Sequence, residues 1–580
     1  MDGANITAAA LLQQILVGLS RTTILFIVSS GLSIVLGVLR IPNVAHGSLY
    51  MIGAFLMYSV ATLAGGGTVG FIIALTLAPL GVALISFIVE RGLFCHLYER
   101  EHLMLLLFTF SLMLVFGDLV KLIWGSDYRS LTAPPFLQGS FSILGFPFPR
   151  YNLFLLLVGP LVAAGLWFLT NKTKIGKIAR AAAVDREMVG AIGINVSWVF
   201  AAVFVIGCYL AGLGGLAGCS HLRIDRCHRH SDLASVCHRL SLRGGGRRSA
   251  VPSERSFKVD VVIMGMNKKH RHLFFLGIPI LAVPLLLPMG VSRFYVYLVS
   301  LILVTGLLAT SLNLVLGFGG MYQFHHAVFY GFGAYALALV VTKTGWPWWI
   351  GFIAAPVCAG MLGIIMGLIT VRLSKLYFGM LQISLGSLVW AIVFRWYSFT
   401  GGDDGIHGIP APDLISSSTG AYYFTLAVSL TALFIMYRIV RSPFGRTFQG
   451  IRDNPERCKA LGVNVQRHQL VGEGIAGFFA GVAGALFVTV EGSVFPDLLF
   501  WTLSLEIVIM CLLGGWFIFL GPMLGAAIMV SLRTFVGIYT EYWTLVLGIV
   551  LMLLIFFLPE GALGLLFRRD EPAVEGGKDG

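Results

Sequence analysis

The sequence predicts an all-α polytopic membrane protein built from two homologous multi-span units. Of its 580 residues, 57% are hydrophobic and only 12% are charged, whereas soluble globular proteins carry about 25% charged residues. Apolar runs of about 20 residues recur along the chain, and a helix of that length crosses a hydrocarbon core of about 30 Å. This composition excludes a soluble enzyme, a disordered protein and a nucleic-acid-binding domain.

About sixteen apolar segments are candidate transmembrane or re-entrant helices. They must be helical, because lipid offers no hydrogen-bond partner to an open backbone. In the first unit they cover residues 11–38, 44–63, 70–90, 103–122, 153–170 and 198–218. In the second unit they cover residues 273–289, 295–318, 324–343, 347–371, 377–396, 421–439, 470–490, 503–516, 521–537 and 541–561.

The charges of the loops predict the side of the membrane on which each loop lies. The formal net charge is +13, and the positive-inside rule assigns an excess of Lys and Arg to cytoplasmic loops. If the spans alternate, the basic loops Arg91–Arg100 and Lys172–Arg186 share one side, which is predicted to be cytoplasmic. The basic loop Arg438–Lys459 of the second unit is also predicted to be cytoplasmic, and Gly401–Pro412 is predicted to face outward.

An internal repeat predicts the two units. GLSIVLGVLRIPNVAHGSLYMIGAF in the first unit matches SLNLVLGFGGMYQFHHAVFYGFGAY in the second unit at an offset of 280 residues. The identical pairs are Leu32, Val35, Leu36, Gly37, His46, Tyr50, Gly53 and Ala54 with Leu312, Val315, Leu316, Gly317, His326, Tyr330, Gly333 and Ala334. Chance resemblance between two apolar sequences could produce this match by itself.

A second match is polar, which makes chance a poor explanation. IGKIARAAAVDREMVGAIGINV at residues 175–196, the first polar loop, matches FGRTFQGIRDNPERCKALGVNV at residues 444–465, the second polar loop. At an offset of 269 residues the identical pairs are Gly176, Glu187, Ala191, Gly193, Asn195 and Val196 with Gly445, Glu456, Ala460, Gly462, Asn464 and Val465. Two matches in the same order indicate two homologous membrane units in one chain.

Each polar loop is predicted to form a short helix on the cytoplasmic side. Ala179–Ala191 and Thr447–Leu461 have helical composition, and Gly193 and Gly462 follow them at positions typical of C-cap glycines. Either loop alone could be an ordinary connector. Because the pattern occurs in both units, we favour a surface on which a soluble motor domain docks and passes rigid-body movements to the spans.

The motifs resemble those of a known transporter family. NVAHGSLYMIGAF at 43–55 is similar to the signature of the first permease subunit type of ABC importers for branched-chain amino acids. HAVFYGFGAY at 326–335, TGGDDGI at 400–406 and the second polar loop are similar to the second subunit type. The resemblance covers nearly all of 10–216 and 275–567 and identifies two permease units in tandem.

The resemblance implies a permease of an ATP-driven importer in the bacterial inner membrane. Branched-chain or other hydrophobic amino acids would be delivered by a periplasmic substrate-binding protein, and the polar loops would be seated on ABC ATPase subunits. The sequence contains no GxxxxGK[ST] phosphate loop, so ATP and Mg are expected in separate ATPase chains. This chain is therefore expected to be no enzyme, to hold no cofactor or metal, and to bind no nucleic acid.

The predicted ATPase-coupling residues are Gly176, Lys177, Arg180, Asp185, Glu187, Gly193, Gly445, Arg446, Arg452, Asp453, Glu456 and Gly462. Two alternatives to an amino-acid importer remain open. One is an ABC permease for urea or short amides. The other is an ion-coupled secondary transporter, which would require paired charged residues at mid-membrane; the sequence offers few.

Three residues are candidates for lining the translocation path. His46 and His326 occupy equivalent repeat positions beside small residues, and each could line the path at a helix break. The favoured alternative is a packed, hydrogen-bonded histidine that holds the break. Glu506 lies in a short apolar segment with no evident basic partner in the sequence, which suggests either a structural or a gating role.

Two further features near the membrane have structural interpretations. Asp118 and Lys121 lie one helical turn apart near the outer end of a span and could form an ion pair. The glycine-rich GLGGLAG at 212–218 imitates a dinucleotide-binding fingerprint, but no strand precedes it. Close packing between helices is the better explanation.

The predicted domains are a first permease unit (1–218), a basic polar junction (219–265), a second permease unit (266–567) and a polar cytoplasmic tail (568–580). The first unit is predicted to be truncated, because it has no counterpart of the last three spans of the second unit. Between Cys219 and Arg271 the chain carries twelve Lys or Arg and four Asp or Glu. The Cys and His residues there fit no tetrahedral zinc pattern.

The junction conflicts with the predicted topology. Alternating spans place residue 219 outside, whereas the second unit needs Lys268–Arg271 inside, and Val259–Met266 is too short to span a membrane. Our hypothesis is a shift of reading frame near Gly218 that fuses the first permease gene to the next gene. The alternative is a genuine linker in a natural fusion.

Overall fold

The computed structural model describes residues 8–39, 43–98, 100, 102–125, 129, 131, 134–143, 146–218, 288, 290–373 and 375–557. The chain folds into two compact units. Unit 1 comprises Met1–Gly246 together with Tyr542–Met552, and unit 2 comprises Arg247–Glu541 together with Leu553–Gly580. The predicted junction at 219–265 lies outside the described residues, and so do the frameshift and zinc hypotheses that concern it.

The N-terminal part of the chain, in unit 1, is built mainly from long apolar helices. The helices are α1 (Ala8–Leu39), α2 (His46–Leu63), α3 (Gly67–Gly92), α4 (His102–Trp124), α5 (Arg150–Lys172), α6 (Lys174–Val184), α7 (Arg186–Ala191) and α8 (Val196–Gly218). Short 3-10 turns cover Phe94–His96 and Pro135–Leu137, and the strands β1 (Ser140–Ile143) and β2 (Phe146–Pro149) form an antiparallel hairpin in which Ser140 pairs with Pro149.

The C-terminal part of the chain begins, among the described helices of unit 2, with α9 (Arg293–Leu316), α10 (His326–Leu339), α11 (Trp348–Thr370), α12 (Lys375–Arg395), α13 (Tyr397–Thr400), α14 (Asp413–Ser416) and α15 (Ser418–Arg441). It continues with α16 (Pro443–Asp453), α17 (Pro455–Ala460), α18 (Val465–Glu491), α19 (Trp501–Gly514), α20 (Gly521–Tyr539) and α21 (Trp543–Phe557), of which residues 543–552 belong to unit 1. A π-turn at Val340–Thr344 extends α10, Pro496–Leu499 is a 3-10 turn, and strand β3 (Ile406–His407) pairs antiparallel with β4 (Ser493–Val494).

The described helices confirm the predicted all-α membrane architecture. Twelve of them are long and apolar enough to cross a bilayer, and Trp501–Gly514 and Trp543–Phe557 are shorter apolar helices. Every predicted span is a helix in the structure except 273–289, which lies almost entirely outside the described residues. The protein is therefore a multi-pass membrane protein.

The same helix crossing forms the centre of each unit. A Cβ atom on Gly53 of α2 would lie 2.7 Å from the Cα of Gly212 on α8. At the equivalent repeat positions, a Cβ on Gly333 of α10 would lie 2.6 Å from the Cα of Gly481 on α18. Glycine is needed at these positions because the two backbones touch. The predicted role of 212–218 in close helix packing is confirmed.

A helix break precedes this crossing in each unit. In unit 2, α9 ends at Leu316 and α10 begins at His326, and we call residues 317–325 the second break. Backbone groups in such a stretch need partners from elsewhere. The backbone N–H of Phe324 donates to Oε1 of Gln382 (3.1 Å), a side chain of α12.

The break of unit 1 is held in the same way. Its α1 ends at Leu39 and its α2 begins at His46. The backbone N–H of Val44, which aligns with Phe324, donates to Oγ1 of Thr109 on α4 (3.2 Å). A side chain from a helix that follows later in the unit thus satisfies the equivalent backbone donor in both units.

Candidate functional site: the polar loops and the helix breaks

The two polar loops have the same structure, residue for residue at their turns. Each enters its first short helix through a hydroxyl cap: Thr173 Oγ1 accepts from the Gly176 N–H (3.1 Å), and Ser442 Oγ accepts from the Gly445 N–H (3.3 Å). A Cβ on Gly176 would overlap the carbonyl oxygen of Leu169, and one on Gly445 would overlap that of Val440 at the end of the preceding span. The tight turn from span to loop therefore explains why glycine occupies both positions.

Each polar loop contains two short helices rather than the single helix that was predicted. The break falls at Asp185 in the first loop and at Asn454 in the second, and both residues have extended backbones. Asp185 Oδ1 accepts from the Met188 N–H (3.0 Å), and Asn454 Oδ1 accepts from the Arg457 N–H (2.9 Å). These side chains end the first helix because they cap the start of the second helix.

The predicted C-cap glycines are confirmed. Gly193 and Gly462 follow the second short helix of their loops with φ angles of +86° and +85°. These left-handed conformations favour glycine. The residues just before them, Ile192 and Leu461, are apolar and are 67% and 76% exposed. Each loop thus presents an exposed apolar side chain just before its C-cap glycine.

The charged residues predicted for coupling are largely on the surface of the loops. Of the residues predicted for coupling, those with exposed charged side chains are Lys177, Arg180, Asp185 and Glu187 in the first loop and Arg446, Asp453 and Glu456 in the second loop. Arg180 Nη1 donates to Asn171 Oδ1 (3.2 Å), and Lys459 Nζ lies 3.0 Å from Glu456 Oε1. Such exposed pairs contribute little stability, which leaves these groups available to a partner.

An arginine in each polar region reaches the end of the first described helix of its unit. Arg186 Nη2 donates to the carbonyl oxygen of Leu39 (3.1 Å), and Arg452 Nη1 donates to that of Gly317 (2.9 Å). The last carbonyls of a helix lack internal partners and carry partial negative charge, so a guanidinium is well suited to them. The two arginines do not align in the repeat, yet they make equivalent contacts.

His46 and His326 are packed, hydrogen-bonded histidines at the breaks, as the favoured interpretation predicts. His46 is buried, and its Nε2 lies 3.1 Å from the carbonyl oxygen of Val28. His326 is fully buried between Ser311 Oγ (2.8 Å from Nε2) and Gln323 Oε1 (2.9 Å from Nδ1). Their assignment to the translocation path stays a prediction.

The other intramembrane charges have partners within their own units. Lys121 Nζ lies 2.9 Å from Asp118 Oδ1, which confirms the predicted pair. Asp118 Oδ2 also accepts from the Leu545 backbone N–H (2.9 Å). Glu506, which has no evident partner in the sequence, interacts electrostatically with Arg533 on α20. Its proposed gating role stays a prediction.

Two buried carboxylates escaped the sequence analysis. Glu473 on α18 is fully buried beside the second break, and Glu90 on α3 is fully buried in unit 1. Glu90 Oε1 accepts from the Tyr98 hydroxyl (2.9 Å), and burial together with this carboxylate raises the pKa of Tyr98. A signal did exist for Glu473, since it is the one charged residue in the predicted span 470–490.

Comparison with known proteins identifies relatives of this chain, and the matching family model covers two segments of it. A model of the family described as "Branched-chain amino acid transport system / permease component" matches residues 14–224 and 294–555. The high-affinity branched-chain amino acid transport system permease protein LivM of Escherichia coli K12 is 28% identical over 318 residues, which cover 50% of this chain and 74% of LivM.

Two further relatives carry related descriptions. The permease protein BraD of the high-affinity branched-chain amino acid transport system of Pseudomonas aeruginosa is 26% identical over 215 residues, 35% of this chain and 69% of BraD. The permease protein LivH of the corresponding Escherichia coli K12 system is 24% identical over 219 residues, 35% of this chain and 69% of LivH. No solved structure matches the chain significantly.

Proposed function

Because the chain belongs to the branched-chain amino acid transport system permease family, we propose that it forms the translocation pathway of an ATP-driven importer for branched-chain or other hydrophobic amino acids. The protein is a membrane permease of an amino-acid importer. The branched-chain specificity of this chain is the proposal, and it is supported by the description of its relatives as branched-chain amino acid permeases. The bacterial relatives also support a location in the inner membrane.

Separate ATPase subunits would drive the transport cycle from the cytoplasmic side. They would bind ATP and Mg, and a periplasmic substrate-binding protein would deliver the amino acid from outside. The observation that carries this proposal is the duplicated polar loop, with the same caps, the same turn glycines and an exposed apolar side chain just before the C-cap glycine in each unit. Two matching surfaces suit a pair of matching ATPase domains.

Alternating access would follow from the contacts between these loops and the helices. Closure of the ATPase domains on ATP would move the loops, and Arg186 and Arg452 bind the ends of the helices that precede the breaks. A rigid-body movement of a short helix would thereby reach the centre of each unit. The exposed acidic residues Glu187 and Glu456 would bind basic groups of the ATPases.

The test is amino-acid-dependent ATP hydrolysis by the complex in proteoliposomes with its ATPases and binding protein. We expect Glu187→Gln together with Glu456→Gln to lower transport about tenfold or more, because a lost charge pair at a docking surface costs about 1.4 kcal/mol or more. Glu541→Gln, an exposed change outside the loops, is the matched control. Unchanged transport in the double variant would contradict the coupling assignment.

Copurification separates this proposal from its alternatives. Two ATPase chains that copurify with the permease support an ABC importer, and their absence from an active complex would support an ion-coupled transporter instead. The ligand bound by the cognate binding protein distinguishes amino acids from urea or short amides. A binding protein that holds only urea or an amide would contradict the proposed substrate.

A further inference from the structure

A buried carboxylate contacts the second break. Glu473 is fully buried on α18, within a membrane-spanning helix. Its Oε1 lies 3.2 Å from His325 Nε2 and accepts a hydrogen bond from Gln323 Nε2 (3.4 Å). Its Oε2 accepts from Thr370 Oγ1 (3.5 Å). Burial of a carboxylate in a membrane is costly unless such partners exist, so this arrangement indicates a role beyond packing.

The carboxylate belongs to a polar cluster that ties together four parts of unit 2. Gln323 and His325 lie in the second break, and His326 begins α10. His326 bonds to Gln323 and to Ser311 of α9. We call the following residues the break cluster: Ser311, Gln323, His325, His326, Thr370 and Glu473. The cluster joins four parts: α9, the second break together with α10, α11, and α18. The break therefore cannot move away from α18 without separating these partners.

Unit 1 has a break in the same place, and its described residues there form no such cluster. The residues that align with Gln323, His325 and Glu473 are Asn43, Ala45 and Phe204. These three residues line a cavity of about 10 Å³. Both polar atoms of the Asn43 amide are buried without a hydrogen-bond partner among the described residues. Among the described residues, the cluster is therefore specific to unit 2.

The buried carboxylate of unit 1 faces a different partner. Glu90 contacts Tyr98 and Arg91, which follow it closely in the chain, and none of its described hydrogen bonds reaches the break. Its partners tie the end of α3 to the following loop. Glu473 differs because it joins residues about 150 positions apart.

The second polar loop contacts the second break directly. Arg452 Nη1 bonds to the carbonyl oxygen of Gly317. Gly320 has a φ of +66°, and a Cβ there would lie 2.6 Å from Arg452 Cγ. A Cβ on Gly319 would overlap the ring of Phe448, which is buried. A movement of α16 therefore displaces the break, whose other end carries Gln323 and His325.

We propose that Glu473 is a positioning residue that holds the second break against α18 until movement of the second polar loop releases it. The inference deepens the proposed function and rests on it. The break cluster supplies a discrete closed arrangement, and release of the Glu473–His325 contact gives the alternative one. A two-state element of this kind converts a small displacement at the loop into a larger change among the spans. Unit 2 would thus gate the translocation pathway, while unit 1 follows the movement of unit 2.

The first test compares Glu473→Gln, His325→Gln and the double variant in the full complex in proteoliposomes. Uptake of amino acid per ATP hydrolysed is measured, with ATP hydrolysis in the absence of the binding protein. We expect each single variant to lower uptake per ATP at least about fivefold, the lower end of typical coupling between sites. The double variant should be no worse than the single variants, because both remove the same contact.

The matched control is Glu491→Gln, the same chemical change at the other end of α18. Glu491 accepts a hydrogen bond from the Tyr297 hydroxyl, which an amide oxygen can also accept. The uptake per ATP of the Glu491→Gln variant should equal that of the unaltered protein. Two outcomes would overturn the proposal. One is a double variant whose loss of uptake per ATP is the sum of the two single losses. The other is unchanged uptake per ATP in both single variants.

The second test does not depend on transport. Hydrogen exchange of residues 317–326 is followed in the purified full chain, where we expect Glu473→Gln to speed exchange about tenfold or more, and Glu491→Gln to leave it unchanged. If Glu473→Gln fails to fold, His325→Gln tests the same contact. A wild-type complex without amino-acid-dependent ATP hydrolysis would refute the proposed function. Unchanged exchange in the folded variants would refute the holding role.

Discussion

Backbone carbonyl oxygens at the turns into the polar loops leave no room for a side chain at one position of each turn. Gly176 illustrates the point, because a Cβ there would overlap one backbone carbonyl oxygen and lie 2.6 Å from that of Thr170. Neither obstacle is a flexible side chain, so nothing can move aside cheaply. The same constraint holds at Gly445. Identity between the units at this position therefore has a steric cause that is separate from partner binding.

The prediction at this scale is that Gly176→Ala destabilises unit 1. We expect a cost of about 1–3 kcal/mol, the usual range for forcing a methyl group into filled space, and a lower midpoint of thermal unfolding in detergent. Gly190→Ala is the matched control within the same loop, because no atom lies within 4 Å of the position that its added methyl group would occupy. The control should unfold at the same temperature or slightly higher, since alanine favours helix. Equal midpoints for both variants would contradict the packing argument.

Some residues of the site could be read from the sequence and others could not. The glycines and acidic residues of the polar loops were visible because the repeat marks them. Glu473 was overlooked, although a lone charge in a span was a usable signal. Its partners could not be predicted, because Gln323 lies 150 residues away and no local pattern specifies a contact over that distance.

Helices and breaks form the next scale, at which backbone hydrogen bonding dominates. Lipid forces apolar runs to be helical, so the described spans could be located from composition alone. The division of each polar loop into two helices was not predicted, because it depends on the side chains of Asp185 and Asn454 turning back to cap the second helix. Helix propensity summed over a window of residues does not detect a single capping side chain.

The prediction at the element scale concerns the break of unit 1. Thr109→Val removes the oxygen that accepts from the Val44 N–H while it keeps the shape of the side chain. We expect a loss of about 1–3 kcal/mol in unfolding free energy, because a part-buried backbone donor is left without its partner.

The control for that prediction is Thr425→Val. Thr425 is fully buried, and its hydroxyl has no hydrogen-bond partner among the described residues. Loss of this hydroxyl should be neutral or slightly stabilising. Thermal unfolding of both variants in detergent measures the difference. A Thr109→Val protein as stable as Thr425→Val would show that the break does not need this bond.

At the scale of the whole molecule, the two halves share a plan but are unequal. The helix crossings through Gly53 and Gly333 and the caps of the polar loops are the same in both. The buried side chains of the polar loops differ, because Phe448 of the second loop aligns with Ala179 of the first loop, and both are buried. The repeat could be predicted from sequence, whereas the inequality of its interior depends on side chains that meet only in the folded chain.

The helices α19 and α20 of unit 2 form a closely packed hairpin. A Cβ on Gly514 would overlap the carbonyl oxygen of Gly521. Ser504 Oγ accepts from the Ala327 N–H of α10 (3.0 Å), and Cys511 Sγ donates to the carbonyl oxygen of Ala309 of α9 (3.2 Å). The hairpin therefore covers the helices on both sides of the second break, and its glycines are required by its packing.

The segment that follows α8 in unit 1 carries no such sequence. Residues 219–265 are basic and polar, although α1 and α2 repeat the helices that the hairpin covers in unit 2. We predict that a one-base correction of the gene near codon 218 restores an apolar continuation with the spacing GG…GP…GA, as in LLGGWFIFLGPMLGA at 512–526. Sequencing the gene and translating the neighbouring frames checks this directly. If neither alternative frame yields an apolar segment with these glycines, the frameshift hypothesis is wrong, and residues 219–265 are a genuine linker between two permease units.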